Sequence, residues 1–128
     1  MATVDLTADT FEKTVTDNDI VLVDWWASWC GPCRQFAPTY DAASGKHEDV
    51  VFGKVDTEAE QALAGAARIT SIPTIMGFRE GILVYSQAGA LPPAGLEQVI
   101  EGIKSLDMDD VRAQVATQQA GQSTTGDE

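Results

Sequence analysis

Apolar positions along the chain change their period, and each change marks an element. Phe11 and Val15 stand four apart, on one face of a short amphipathic helix over residues 7–15. Ile20-Val21-Leu22-Val23-Asp24-Trp25-Trp26 then runs apolar almost without a break and is rich in β-branched and aromatic side chains. That is the pattern of a strand covered on both faces. Ala27-Ser28-Trp29 reads as a turn, and a helix follows from about Cys30 to Ser44. Pro38 inside it removes a donor and crowds the preceding turn, so a bend is expected there.

Residues 50–56 read as a second buried strand. Thr57-Glu58-Ala59-Glu60 has the form of a capping box, with Thr57 capping an alanine-rich helix to Ala67 and Glu60 reaching back to it. Strands Thr74 to Arg79 and Ile82 to Ala88, joined by Glu80-Gly81, read as a hairpin. Pro92-Pro93 open a last helix, where proline is tolerated, and its apolar face is Leu96, Val99, Ile100, Ile103 and Leu106. A short strand near Val4-Asp5-Leu6 completes the order. Alternating helices and strands that end in a hairpin predict an α/β fold, with a mixed four- to five-stranded sheet and helices on both faces.

At 128 residues the chain fits one domain with its own core, which the pattern places in residues 1–106. Residues 107–128 read as an extension. Asp107-Met108-Asp109-Asp110 can cap a helix carrying Val111 and Val115, and from about Gln118 the composition predicts disorder. Eight basic and twenty acidic residues give a formal charge of −12, which repels phosphate backbones and anionic lipid and argues against nucleic-acid or membrane partners. No apolar run approaches the roughly 20 residues of a membrane span. The amino end lacks the basic head and apolar stretch of a secretory signal, so a cytoplasmic location is expected.

Cys30 and Cys33 are the only cysteines. A loop this short gains little from being closed, so a structural staple explains them poorly, and metal or redox chemistry explains them better. As a dithiol, Cys30 at the helix start gains from free amides and the helix dipole, which favour a thiolate. Cys33, one turn in, is the less exposed thiol. Gly31 leaves room for an incoming protein, Pro32 fixes φ at the helix start, and Trp29 offers a rigid contact surface. Zinc needs two further ligands. The only histidine, His47, reads as lying in a solvated loop, so zinc would require two chains. No metal site is expected.

The segment Asp24-Trp25-Trp26-Ala27-Ser28-Trp29-Cys30-Gly31-Pro32-Cys33-Arg34 resembles the active-site segment of the thioredoxins. The resemblance extends over residues 3–106 and includes Pro38, Lys54, Ile72-Pro73-Thr74, Glu80-Gly81 and Gly89-Ala90-Leu91. It departs from the family at Arg34, where many members have lysine, and in the extension. It implies the thioredoxin fold and a protein-disulfide reductase that works by reversible dithiol–disulfide exchange at Cys30 and Cys33. Gly31-Pro32 points to the reducing members rather than to the isomerases, glutaredoxins or periplasmic oxidases.

Asp24 interrupts an apolar strand, and burial of a carboxylate raises its pKa. The resemblance supports its role as proton acceptor for Cys33, with Lys54 beside it and Trp26 packed under the site. It also implies a cis Ile72–Pro73 bond, a backbone at Ile72 that pairs with a substrate strand, and Gly89-Ala90 along the other side of the groove. No cofactor is expected beyond the cysteine pair itself. The implied partners are an NADPH-dependent flavoprotein thioredoxin reductase and disulfide-containing proteins, with the chain a monomer. Two rivals remain at this point: a binding or chaperone subunit on the same fold, and a disulfide oxidant or isomerase.

Overall fold

Successive side chains of a strand point to opposite faces, so an unbroken apolar run has to be covered twice. The run Ile20–Trp26 forms β2, the middle strand of a five-stranded sheet. The computed structural model describes residues 3–126, with side chains as far as Gln118. The other strands are β1 (Thr3–Asp5), β3 (Val51–Asp56), β4 (Thr74–Arg79) and β5 (Ile82–Ala88). Spatial order is β1-β3-β2-β4-β5. β1, β3 and β2 run parallel, whereas β4 is antiparallel to both β2 and β5.

The parity of β2 sorts the core. Ile20 and Leu22 face one layer with Phe52 and Ile75, closed by Phe36 and Tyr40 of α2 (Gly31–Ser44) and Leu96, Ile100 and Ile103 of α4 (Pro93–Lys104). Val21, Val23 and Trp25 face the other with Val55, closed by Phe11 and Val15 of α1 (Phe11–Asp17) and Leu63 and Ala64 of α3 (Gln61–Ala66). Helices therefore flank both faces, as the pattern predicts. Each fully buried large side chain in these layers contributes about 1.5–3 kcal/mol. At Gly53, in the middle of β3, the chain passes so close to its neighbours that an added Cβ would lie 2.5 Å from Leu6 Cδ1 and 3.3 Å from the Leu22 carbonyl oxygen. The hairpin turns through Glu80 (φ 52°) and Gly81 (φ 79°), two consecutive left-handed residues of the kind that suits the strand twist.

Three local expectations give way to tertiary contacts. α1 begins at Phe11, because Thr7 turns the chain first and its carbonyl accepts from the Thr10 and Phe11 amides. The capping box does not form. Thr57 donates its hydroxyl to the Trp26 carbonyl at 3.0 Å, and Asp56 Oδ1 instead accepts the Glu58 amide at 2.9 Å. Glu60 Oε1 accepts the amide of Ala8, 52 residues away, at 2.8 Å. Finally, His47 is buried rather than solvated: its ring stacks near Phe52, and its nitrogens bond Glu97 and Lys104.

Beyond the predicted domain boundary, α5 (Met108–Gly126) starts where Asp107 Oδ1 accepts the amides of Asp109 and Asp110, the expected cap. Its backbone continues as helix past Gln118, where composition predicts disorder. Residues 127–128 lie outside the described residues. Val111 and Val115 flank a groove with Leu106, Ile82, Leu83 and Val84, and Arg112 pairs with Glu80 in the hairpin turn. Among the described residues, no helix is long and apolar enough to cross a membrane.

Candidate active site

The site forms where β2 hands over to α2. Ala27 is buried and Arg34 donates to the Ser28 carbonyl at 2.9 Å, which ties the turn to the first turn of the helix. Cys30 is the N-cap of α2, and Gly31 and Pro32 are the first two helical residues. Cys30 and Cys33 are joined as a disulfide, with Cα atoms 5.2 Å apart. The backbone amide of Cys33 points at Cys30 Sγ from 3.2 Å. The same amide, with the helix dipole behind it, is placed to stabilise negative charge on that sulfur once the pair is reduced. Both cysteines are buried, with exposures of 5% for Cys30 and 3% for Cys33, so the expected difference in accessibility is slight in the oxidised form.

Several of the other predicted residues lie near the pair. Trp26 and Ile72 pack against Ala27, Cys30 and Cys33. The Ile72–Pro73 bond is cis, and the Ile72 carbonyl oxygen lies 3.7 Å from Cys30 Sγ. Gly89 donates its amide to the Pro73 carbonyl at 2.8 Å, which brings it to the cis bond, with Ala90 exposed next in the chain. Trp29 is 65% exposed and, with Ile69, Thr70, Ser71 and Ile72, walls a groove beside the cysteines. An open groove with free apolar surface suits an extended peptide better than a small molecule.

Asp24 is fully buried on the face of β2 that α2 covers, and neither carboxylate oxygen has a hydrogen-bond partner among the described residues. Burial pushes its pKa up to about 7, while the positive charge of Lys54 pulls the other way. Lys54 stands in register with Asp24 on β3, and its Nζ lies 5.0 Å from the centre of the Trp26 ring. A carboxyl group poised near neutrality can both take and return a proton at working pH.

Tyr40 was not among the expected site residues. Its hydroxyl donates to the Gly53 carbonyl at 2.8 Å, in the strand position just before Lys54. Burial, and then the charge on Asp24, hold the phenol well above its usual pKa, so Tyr40 serves as a neutral donor. The signal that could have found it is its helical spacing from Cys33 and Phe36 on the buried face of α2. His47 belongs elsewhere, against α4.

Residues 2–102 match the family model described as Thioredoxin. The chain is similar to putative thioredoxin 2 of Streptomyces coelicolor, at 56% identity over 119 residues that cover 93% of this chain and 89% of that protein. It is 41% identical to thioredoxin 1 of Nostoc sp. over 102 residues, 78% of this chain and 95% of that one. Among solved structures, a Plasmodium falciparum thioredoxin superposes with a TM-score of 0.72 at 33% identity, covering 80% of this chain and 98% of its own. A mutant thioredoxin from Halobacterium salinarum gives a TM-score of 0.75 at 30% identity, covering 81% and 92%.

Proposed function

The chain belongs to the thioredoxin family and is a protein-disulfide oxidoreductase with a redox-active cysteine pair, and from that premise we propose the part that each residue of the site plays. In the reduced form the Cys30 thiolate attacks one sulfur of a partner's disulfide. A Cys30–partner bond forms, and the other partner sulfur leaves as a thiolate. Cys33 gives its proton to Asp24, attacks the Cys30 sulfur and expels the second partner thiolate. Two electrons have then passed to the partner, and the Cys30–Cys33 disulfide remains.

Lys54 and Trp26 support the acceptor and the floor of the site. Gly31 and Pro32 shape the approach to Cys30. Trp29, Ile72, Pro73, Gly89 and Ala90 hold the partner's chain, with the Ile72 backbone pairing along it. Two electrons return from an NADPH-dependent flavoprotein thioredoxin reductase. The redox group is the cysteine pair, so the chain itself needs no separate cofactor. In this reading it works in the cytoplasm as a monomeric electron carrier, with residues 1–106 as the working domain.

The observation that carries the proposal is the disulfide at the start of α2, the helix that covers the β2 face where a buried carboxyl group has unpartnered oxygens and a pKa near neutrality. The test is reduction of insulin disulfides with dithiothreitol as electron source. Cys30→Ser is expected to abolish turnover, and full activity in that variant would sink the mechanism. Cys33→Ser is expected to accumulate mixed disulfides with partner proteins, and their absence would remove the resolving role.

A further inference from the structure

The most densely charged contact outside the redox site lies on the far end of the layer closed by α2 and α4. His47 follows α2 and is 8% exposed, with its ring 6.5 Å from that of Phe52. Its Nε2 lies 2.8 Å from Glu97 Oε1 and its Nδ1 lies 2.9 Å from Lys104 Nζ. An ammonium only donates and a carboxylate only accepts, so Nδ1 is the acceptor and Nε2 carries the hydrogen. Glu97 and Glu101 stand one helical turn apart on α4, and one ligand atom from each of His47, Glu97 and Glu101 falls within 4.8 Å of the others. Glu101 has no side-chain hydrogen bond or ion pair among the described residues. Two carboxylates thus converge on a buried imidazole, while the nearest cation, Lys104, sits on the opposite edge of the ring and is shared with Asp49 at 3.2 Å.

We propose that His47, Glu97 and Glu101 form a site for a borderline divalent cation such as Zn2+, separate from the cysteine pair. One imidazole nitrogen and two carboxylate oxygens suit such an ion better than Mg2+ or Ca2+, which favour oxygen alone. Zinc–ligand distances of about 2.0–2.2 Å require the exposed Glu101 carboxylate to close in by roughly an ångström, with water completing the shell. The buried ring is the fixed ligand, and the two glutamates are the mobile ones. Lys104 is the competitor. A cation on Nε2 forces the ring hydrogen to Nδ1, which expels Lys104 Nζ towards Asp49, its existing partner. Binding therefore clips the segment after α2 to α4 without touching the redox chemistry.

The test uses the full chain locked in its disulfide form, so that no thiolate competes, titrated with ZnCl2 by calorimetry. The expected result is uptake of one equivalent, reversed by EDTA, with a rise in melting temperature. Glu101→Gln and Glu97→Gln, both at solvent-accessible positions, are expected to weaken uptake about tenfold or more. Lys104→Met is expected to tighten it several-fold. The proposal is overturned by no uptake at Zn2+ concentrations on the order of 1 mM, by uptake that both glutamine variants retain, or by uptake that Lys104→Met weakens.

Discussion

Replacing Asp24 with asparagine separates the cost of a buried charge from the cost of a buried polar group. In the folded chain the carboxyl titrates near 7, and burial is the chief cause. Unfolded, it titrates at about 3.9. A pKa raised by folding means that the folded state holds its proton longer. Stability is then greatest below the unfolded pKa and is lost as pH rises through the window from about 4 to about 7. The difference is about 3 units at 1.36 kcal/mol each, or about 4 kcal/mol, and Asp24 has no solvent-exposed surface to screen it. The protonated acid and the amide bury comparable unpartnered groups, so that penalty largely cancels between the two chains. The asparagine variant is expected to gain over the parent by roughly 1.5 kcal/mol at pH 5 and about 4 kcal/mol at pH 8. Urea unfolding of both oxidised proteins at a series of pH values measures this directly. The same substitution is expected to slow release of the mixed disulfide on the order of a hundredfold, because the proton acceptor is gone. A stability difference that stays constant from pH 5 to pH 9 would refute the reasoning, since Asp24 would then not titrate in that range.

Lys54→Met removes the charge that lowers the Asp24 pKa, so the pH profile of insulin reduction is expected to move to higher pH, read from rates across the neutral range. Tyr40→Phe leaves the Gly53 carbonyl without its buried donor and is expected to cost about 1–3 kcal/mol in urea unfolding, with the cysteines still able to exchange. Gly53→Ala forces a methyl group against Leu6 and the Leu22 carbonyl, at an expected cost of about 1–3 kcal/mol in the same assay.

Much of the sheet was legible because period and composition are local. β2, β4 and β5 fall on the residues that the apolar run and the Glu80-Gly81 turn predict. Cys30, Cys33 and Asp24 were legible for a related reason: each is conspicuous against its immediate neighbours, two thiols at a helix start and one acid in an apolar strand. What the pattern missed depends on partners far away in the chain. Glu60 could not be seen to serve Ala8 instead of Thr57, nor His47 to lie against Phe52 and α4. Tyr40 looked like any apolar residue of a helix face until β3 supplied its acceptor. Gly89 reaches Pro73 only because Thr74 pairs with Ala88, a register that no single segment encodes.

The two margins of the sheet end differently. Among the described residues β1 is three residues long, a short edge that offers little for another chain to pair with. β5 is seven residues long, and its first half lies beside α5, with Arg112 pinned to the hairpin at Glu80. Copies of the protein that collide at high concentration therefore find bare strand mainly along the second half of β5. Among the described residues the exposed large apolar side chains are Val4, Trp29 and Leu83, and Leu83 lines the groove beside α5. Trp29 is the most exposed of the three, so the largest apolar surface open to an encounter lies at the groove beside the cysteine pair.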